Sequence, residues 1–376
     1  MTIGPVQTQF LQIPTPFHLE SGEVLNDVTI AYETYGILNA DASNAILVFH
    51  ALTGSHHAAG INTAVSGVEP LWTKECIQGW WDDFIGPGKA IDTDQHFVIC
   101  ANYLGSCYGS TGPRSINPKT GKAYGSSFPQ ISAFDVIRSQ KHLLRHFKID
   151  CLRAVVGGSL GGMMAMMMAI RCPEMVKTVI PLATGVETTA LQRILNFEQI
   201  VAIRNDPNFL NGDYYEHEPP REGLALARMI AHKTFVSLKV MEGRARQEII
   251  TDERIGQFYS LSHPIESYML YQGCKFAERF DANSYLRIMA LWQHYSLGQI
   301  GPDLFRACKD QKYLIFSIDS DVCFYPEEQR SIVQALEASK IDVKYITVHS
   351  DKGHDSFLLE PELYAPYIHF VLNSEN

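Results

Sequence analysis

Short apolar runs rich in β-branched residues recur along the chain at Ala45 to Phe49, His96 to Cys100, Arg153 to Val156, Thr178 to Leu182, Tyr313 to Ile318 and Lys344 to Val348. Helix-like stretches separate them. Alternation of this kind predicts an α/β fold whose mostly parallel central sheet is flanked by helices. The pattern lapses between roughly Glu187 and Gln299, where helical stretches (Leu191 to Arg204, Gly223 to Ile230, Ser284 to Leu297) follow one another with few strand signals. Turn chemistry punctuates that segment at Asp206-Pro207-Asn208 and Asn211-Gly212-Asp213. Since strand-helix alternation resumes afterwards, the expected organisation is a core over residues 1–186, an inserted helical lid over 187–299, and the rest of the core over 300–376. No repeats and no low-complexity linker interrupt it.

Composition narrows the function classes. A chain of 376 residues with 46% hydrophobic residues can bury an extensive core, which removes disorder from consideration. A net charge of −10 and a pI of 5.8, without any dense lysine/arginine block, argue against a nucleic-acid partner. No charged-then-apolar leader opens the sequence, and no apolar run reaches the roughly 18 residues that a bilayer span needs. The expectation is a cytoplasmic protein with no membrane partner. Eight cysteines (Cys76, Cys100, Cys107, Cys151, Cys172, Cys274, Cys308 and Cys323) form no C-x-x-C pair and read as buried free thiols. Neither a metal nor another cofactor is expected.

Val155-Val156-Gly157-Gly158-Ser159-Leu160-Gly161-Gly162 is a hydrophobic strand that runs through G-x-S-x-G into a helix-forming stretch, Met163 to Ile170. Strand, sharp glycine-flanked turn and helix together make a nucleophile elbow, with Ser159 the candidate for covalent chemistry. A serine hydroxyl is a weak nucleophile near neutral pH and needs a base, and the base needs a carboxylate to orient it. Ile315 to Ile318 is followed by Asp319 and Asp321, and Val343 to Val348 by a loop holding Gly353-His354-Asp355. His354 is the expected base; spacing leaves both aspartates open as its partner. An oxyanion needs two main-chain N–H donors. Leu160, after the nucleophile, supplies one, and the His50-Ala51-Leu52-Thr53-Gly54 loop after an early strand supplies the other.

Several motifs in order, His50 to Gly54, Gly79-Trp80-Trp81-Asp82, Ile85-Gly86-Pro87-Gly88-Lys89, Tyr108 to Pro113, Gly157-Gly158-Ser159, Ala227-Arg228-Met229, Arg279 to Tyr285 and Gly353-His354-Asp355, resemble the homoserine O-acetyltransferase family of α/β-hydrolase-fold proteins. The likeness covers nearly the whole chain, and the family also includes esterases of short acetate esters. The resemblance implies that Ser159 is acetylated, that His354 is the base, that Asp321 orients it, and that Leu52 carries the second oxyanion amide. It further implies that Arg228 and Asp355 grip the carboxylate and ammonium of an amino-acid acceptor, with Thr53 and Phe235 in the same substrate pocket. A homodimer through the lid is implied as well.

The chain departs from the transferase pattern where a tyrosine is expected and Phe235 stands, where a glutamine and a Leu-Glu-Trp run give way to Met164 and Met166-Met167-Met168, and where Ser320-Asp321 is followed by Val322-Cys323-Phe324. Losing one hydrogen bond to a charged ligand group costs about 1.5 to 3 kcal/mol. These departures favour water as acyl acceptor, hence an esterase of short acetate esters acting through acetyl-Ser159. The alternative is homoserine O-acetyltransferase with acetyl-CoA as co-substrate. A more distant alternative is a catalytically silent binding protein on the same fold.

Overall fold

The computed structural model describes residues 2–244 and 261–373. One sheet of eight strands runs through it: β1 (Gln9–Gln12), β2 (Thr29–Tyr35), β3 (Ala45–Phe49), β4 (Phe97–Ala101), β5 (Leu152–Gly158), β6 (Val176–Leu182), β7 (Lys312–Ile318) and β8 (Asp342–Val348), in the order β1-β2-β4-β3-β5-β6-β7-β8. Strands β3 to β8 are parallel; β1 and β2 add antiparallel at one edge. Every residue of β3 and β4 is buried, so these strands are apolar throughout. The edge strand β8 buries only Val348 fully, and its sequence is correspondingly mixed.

The two antiparallel strands are not among those expected from the hydrophobic pattern. β2 is buried yet carries Glu33 at its centre, fully enclosed. Glu33 Oε2 meets His57 Nδ1 at 2.8 Å and accepts from the Tyr35 hydroxyl at 2.8 Å, while Oε1 accepts from Asn62 at 2.7 Å. His57 Nε2 faces the Ile77 carbonyl oxygen at 2.9 Å, so both ring nitrogens have a partner. Burial opposes ionisation of Glu33, but His57, His56 and Asn62 outweigh it and hold the carboxyl below its usual range. This network ties the loop after β3 to the sheet edge.

Helices α1 (Ala133–His146), α2 (Leu160–Arg171), α8 (Pro326–Ala338) and α9 (Pro361–Asn373) flank the sheet. Among the described residues no strand lies between β6 and β7, and the helices there are α3 (Ala190–Arg204), α4 (Arg221–Phe235), α5 (Leu238–Arg244), α6 (Pro264–Arg279) and α7 (Ala282–Gln293). Two expectations change here. The helix expected to reach Leu297 stops at Gln293, because the chain turns at His294 and Leu297 N–H bonds the Val186 carbonyl. Helix α6 carries Gly273 in its middle, which blurs its pattern; a Cβ there would lie 2.7 Å from the Ala225 carbonyl of α4, so glycine permits the close crossing. Residues 245–260 of the expected insertion lie outside the described residues.

None of the eight cysteines forms a disulfide, yet Cys76, Cys151 and Cys274 are partly exposed, contrary to the expectation of uniform burial. Among the described residues no helix is long and apolar enough to cross a membrane.

Candidate active site

The turn between β5 and α2 holds Ser159 at φ 59°, ψ −127°, a conformation that a side chain adopts only under constraint. Constraint is present on both sides. Ser159 N–H donates to the Leu182 carbonyl of β6 at 2.9 Å, and its carbonyl accepts from the Thr184 hydroxyl at 2.8 Å. The flanking glycines are required by contact: a Cβ on Gly157 would sit 2.4 Å from the Gly161 carbonyl oxygen, and one on Gly161 would sit 2.2 Å from the Phe49 carbonyl oxygen. The elbow therefore rests directly on the end of β3.

Asp319 and Asp321, indistinguishable by spacing, have different partners. Asp319 is exposed and pairs with His349 at 2.8 Å. Asp321 is buried; its Oδ2 accepts from His354 Nδ1 at 2.7 Å, and its Oδ1 accepts from the N–H groups of Cys323 at 2.7 Å and Phe324 at 3.0 Å. Ser320 Oγ accepts from Gly353 N–H at 3.1 Å and so holds the loop that carries the histidine. The imidazole stacks on Phe324 with centroids 5.5 Å apart and meets the edge of Phe357 at 5.3 Å. Burial disfavours the imidazolium, but the Asp321 charge and hydrogen bond, with Asp355 and Glu328 beyond, raise the His354 pKa above its ordinary value. His354 Nε2 is buried without a hydrogen-bond partner among the described residues.

Ser159 and His354 line one cavity of about 180 Å³, together with Leu52, Thr53, Arg228, Phe235 and Asp355. Asp321 stands behind His354, and Leu160 is buried at the start of α2. Neither Leu52 nor Leu160 N–H donates to an acceptor among the described residues. Arg228 comes from α4 and makes no ion pair among the described residues; its guanidinium lies over the rings of Phe235 at 5.3 Å and Phe276 at 5.2 Å. Burial and then the like charge of Arg279 lower its pKa, while Asp355 opposes them. A larger cavity, about 840 Å³, lies elsewhere, on α3, α4 and α6, and none of the expected site residues lines it.

Arg279 was not among the expected site residues. It ends α6, lines the site cavity, and donates from Nη1 to the Thr53 carbonyl at 3.3 Å and the Tyr108 hydroxyl at 3.0 Å. Its signal was the last turn of a helix that the sequence pattern did not reveal. Trp80, also in the wall, is fixed by a bond from its indole N–H to the Ser55 carbonyl at 2.9 Å.

Several departures that pointed to an esterase lie outside the wall of this cavity. Met164, Met166, Met167 and Met168 are buried in the hydrophobic core, and Val322 and Cys323 are absent from the cavity wall. Phe235 alone of the substituted positions faces it.

A family model described as alpha/beta hydrolase fold matches residues 44–361. The homoserine O-acetyltransferase of Methanohalobium evestigatum is 44% identical over 99% of this chain and 74% of its own length. The homoserine O-succinyltransferase of Nitrosomonas europaea is 42% identical over 99% of this chain and 97% of its own. Among solved structures, homoserine O-acetyltransferase from Bacillus anthracis superposes with a TM-score of 0.87 at 29% identity, covering 98% of both chains. Esterase E22 follows with 0.86 at 28%, covering 98% of this chain and 100% of its own. Shape thus matches a transferase and an esterase alike, but relatives at 42–44% identity over nearly the whole chain are homoserine acyltransferases, which overturns the esterase expectation. By its matching model and these relatives, the chain belongs to the homoserine O-acetyltransferase family of α/β-hydrolase-fold proteins.

Proposed function

We propose that this protein transfers an acetyl group from acetyl-CoA to the hydroxyl of L-homoserine through an acetyl-Ser159 intermediate. The observation that carries the reading is His354, paired with Asp321 through Nδ1 and with Nε2 unpartnered, in the same small cavity as Ser159, Arg228 and Asp355. Ser159 Oγ attacks the thioester carbonyl as its proton passes to His354 Nε2. The oxyanion is received by the N–H groups of Leu52 and Leu160. Collapse breaks the C–S bond, and the departing thiolate takes the proton from His354. The homoserine hydroxyl then attacks the acetyl-serine and gives its proton to Nε2; the second tetrahedral species collapses to O-acetylhomoserine, and Ser159 recovers its proton from His354.

Arg228 takes the acceptor's carboxylate and Asp355 its ammonium. Phe235 supplies an apolar wall beneath the guanidinium, and Thr53 borders the acyl group. Helices α3 to α7 serve as the lid, because Arg228 and Phe235 reach the cavity from α4 and Arg279 from α6. The chain acts as a homodimer joined through α3 and α4, whose apolar side chains Leu191, Ile194, Phe197 and Leu226 are exposed. An Ile194→Asp variant eluting at the wild-type mass in light scattering would contradict that.

The test is release of free thiol from acetyl-CoA by the purified protein, with and without homoserine. Homoserine-dependent release with O-acetylhomoserine identified by mass is expected. Thiol release indifferent to homoserine would refute the proposal.

A further inference from the structure

We propose that His50 is a positioning residue for the oxyanion site: its Nδ1–H holds the Ala51 carbonyl so that the next N–H, that of Leu52, is aimed into the cavity. This rests on the reading of Ser159 as a nucleophile. His50 follows β3 and is fully buried. Its Nδ1 lies 2.8 Å from the Ala51 carbonyl oxygen, which only accepts, and its Nε2 receives the Tyr103 N–H at 3.3 Å. Partners at both nitrogens specify one neutral tautomer, with the proton on Nδ1. Burial lowers the pKa to about 3, which favours the same uncharged ring.

The ring itself is immobilised. It stacks on Tyr103 with centroids 3.7 Å apart, and the Tyr103 hydroxyl donates to the His50 carbonyl at 2.6 Å. Gly54 packs against it, since a Cβ there would lie 2.8 Å from His50 Cβ. Gly54 N–H adds a second donor to the Ala51 carbonyl, at 3.0 Å. The Ala51–Leu52 peptide is trans, so its C=O and N–H point in opposite directions. Fixing the carbonyl from one side therefore fixes the Leu52 N–H on the other. That N–H has no acceptor among the described residues, and Leu52 lines the cavity with Ser159.

The mechanism does not use the imidazole of His50 in any proton transfer, and nothing else in its surroundings calls for a donor at Nδ1. An amide that stabilises only the transition state should leave substrate binding untouched while its loss lowers kcat by about 10²- to 10³-fold.

Two substitutions separate the role from mere packing. Asparagine places an amide nitrogen where Nδ1 stood, whereas glutamine reaches the Nε2 position and leaves the Ala51 carbonyl without its side-chain donor. The second-order rate of Ser159 labelling by a fluorophosphonate probe reports oxyanion stabilisation without any acyl acceptor, and steady-state kinetics with acetyl-CoA and homoserine report KM. The expectation is a loss of roughly 100-fold in labelling and kcat for His50→Gln with KM values unchanged, and retention within about fivefold for His50→Asn. Equal losses in both variants, or a rise in KM at constant kcat, would overturn the inference. Should His50→Gln fail to fold, His50→Asn decides alone: a hundredfold loss in that folded variant overturns the role, and near-wild-type labelling supports it. A wild-type protein that resists the probe removes the nucleophile itself and this role with it, whereas labelling without homoserine acetylation refutes only the assigned acceptor.

Discussion

Replacing Asp321 by asparagine changes one atom, and the surrounding hydrogen bonds dictate where the change falls. Oδ1 accepts from two main-chain N–H groups, of Cys323 and Phe324, and can only be an oxygen; the new NH₂ must therefore occupy the Oδ2 position, 2.7 Å from His354 Nδ1. An NH₂ there donates to Nδ1, which drives the imidazole proton to Nε2. A protonated Nε2 cannot accept the Ser159 proton, so acylation stalls although the fold and cavity persist. Inverting the tautomer of a serine-bound histidine in this way costs about 10⁴-fold in kcat, equivalent to roughly 5.5 kcal/mol of activation free energy. The assay is thiol release from acetyl-CoA with homoserine, alongside fluorophosphonate labelling and a thermal unfolding scan. Asp321→Asn retaining activity within tenfold of wild type, with an unchanged melting profile, would refute the assignment of His354 as the base oriented by Asp321.

Three further outcomes follow from the same geometry. Because Asp321 and its neighbours raise the His354 pKa above 6.5 despite burial, kcat/KM should fall as pH drops through a midpoint above 6.5 and level off above it; a pH-rate profile with its acid limb below that value contradicts the base assignment. Arg228→Met should raise KM for homoserine about 10- to 100-fold while fluorophosphonate labelling of Ser159 stays near wild type, and a loss confined to labelling would contradict a carboxylate-binding role. Glu33→Ala strands the donors of His57, Asn62 and Tyr35 in the core and should lower stability by about 3–5 kcal/mol, read from urea unfolding at constant protein concentration. As the Glu33 pKa is depressed, its contribution is present above pH 4.5 and lost as pH falls through its folded value, so the difference between wild type and variant should shrink on acidification.

What could be read from the chain alone follows from how local each constraint is. Of the six parallel strands, β3 and β4 were the plainest because burial on both faces leaves an unbroken apolar run, and the elbow was legible because Gly157 and Gly161 must touch within five residues of chain. Strand β2 was not, since Glu33 breaks its pattern and is neutralised by partners some 24 and 29 residues away. Asp319 and Asp321 sit at the same strand end and each meets a histidine; only the turn that buries one and exposes the other separates them, and the family resemblance supplied that choice before any geometry did.

The misjudged acceptor has a comparable cause. Helix α2 is buried at every position from Leu160 to Ala169, so periodicity says nothing about which of its side chains face a ligand. Its methionines lie in the core, where a change from polar to apolar alters packing and leaves the substrate site as it was. The proposed acceptor site is composed of cavity residues from α4, α6 and the loop after β8, brought together by tertiary packing. Arg228 and Arg279 both stack on Phe276, which keeps two guanidiniums beside Ser159 with no carboxylate in ion-pair contact among the described residues. Asp355 lines the same cavity and favours the Arg228 charge, so under the proposed function the carboxylate of an amino-acid acceptor would add an anion to these guanidiniums that water does not bring.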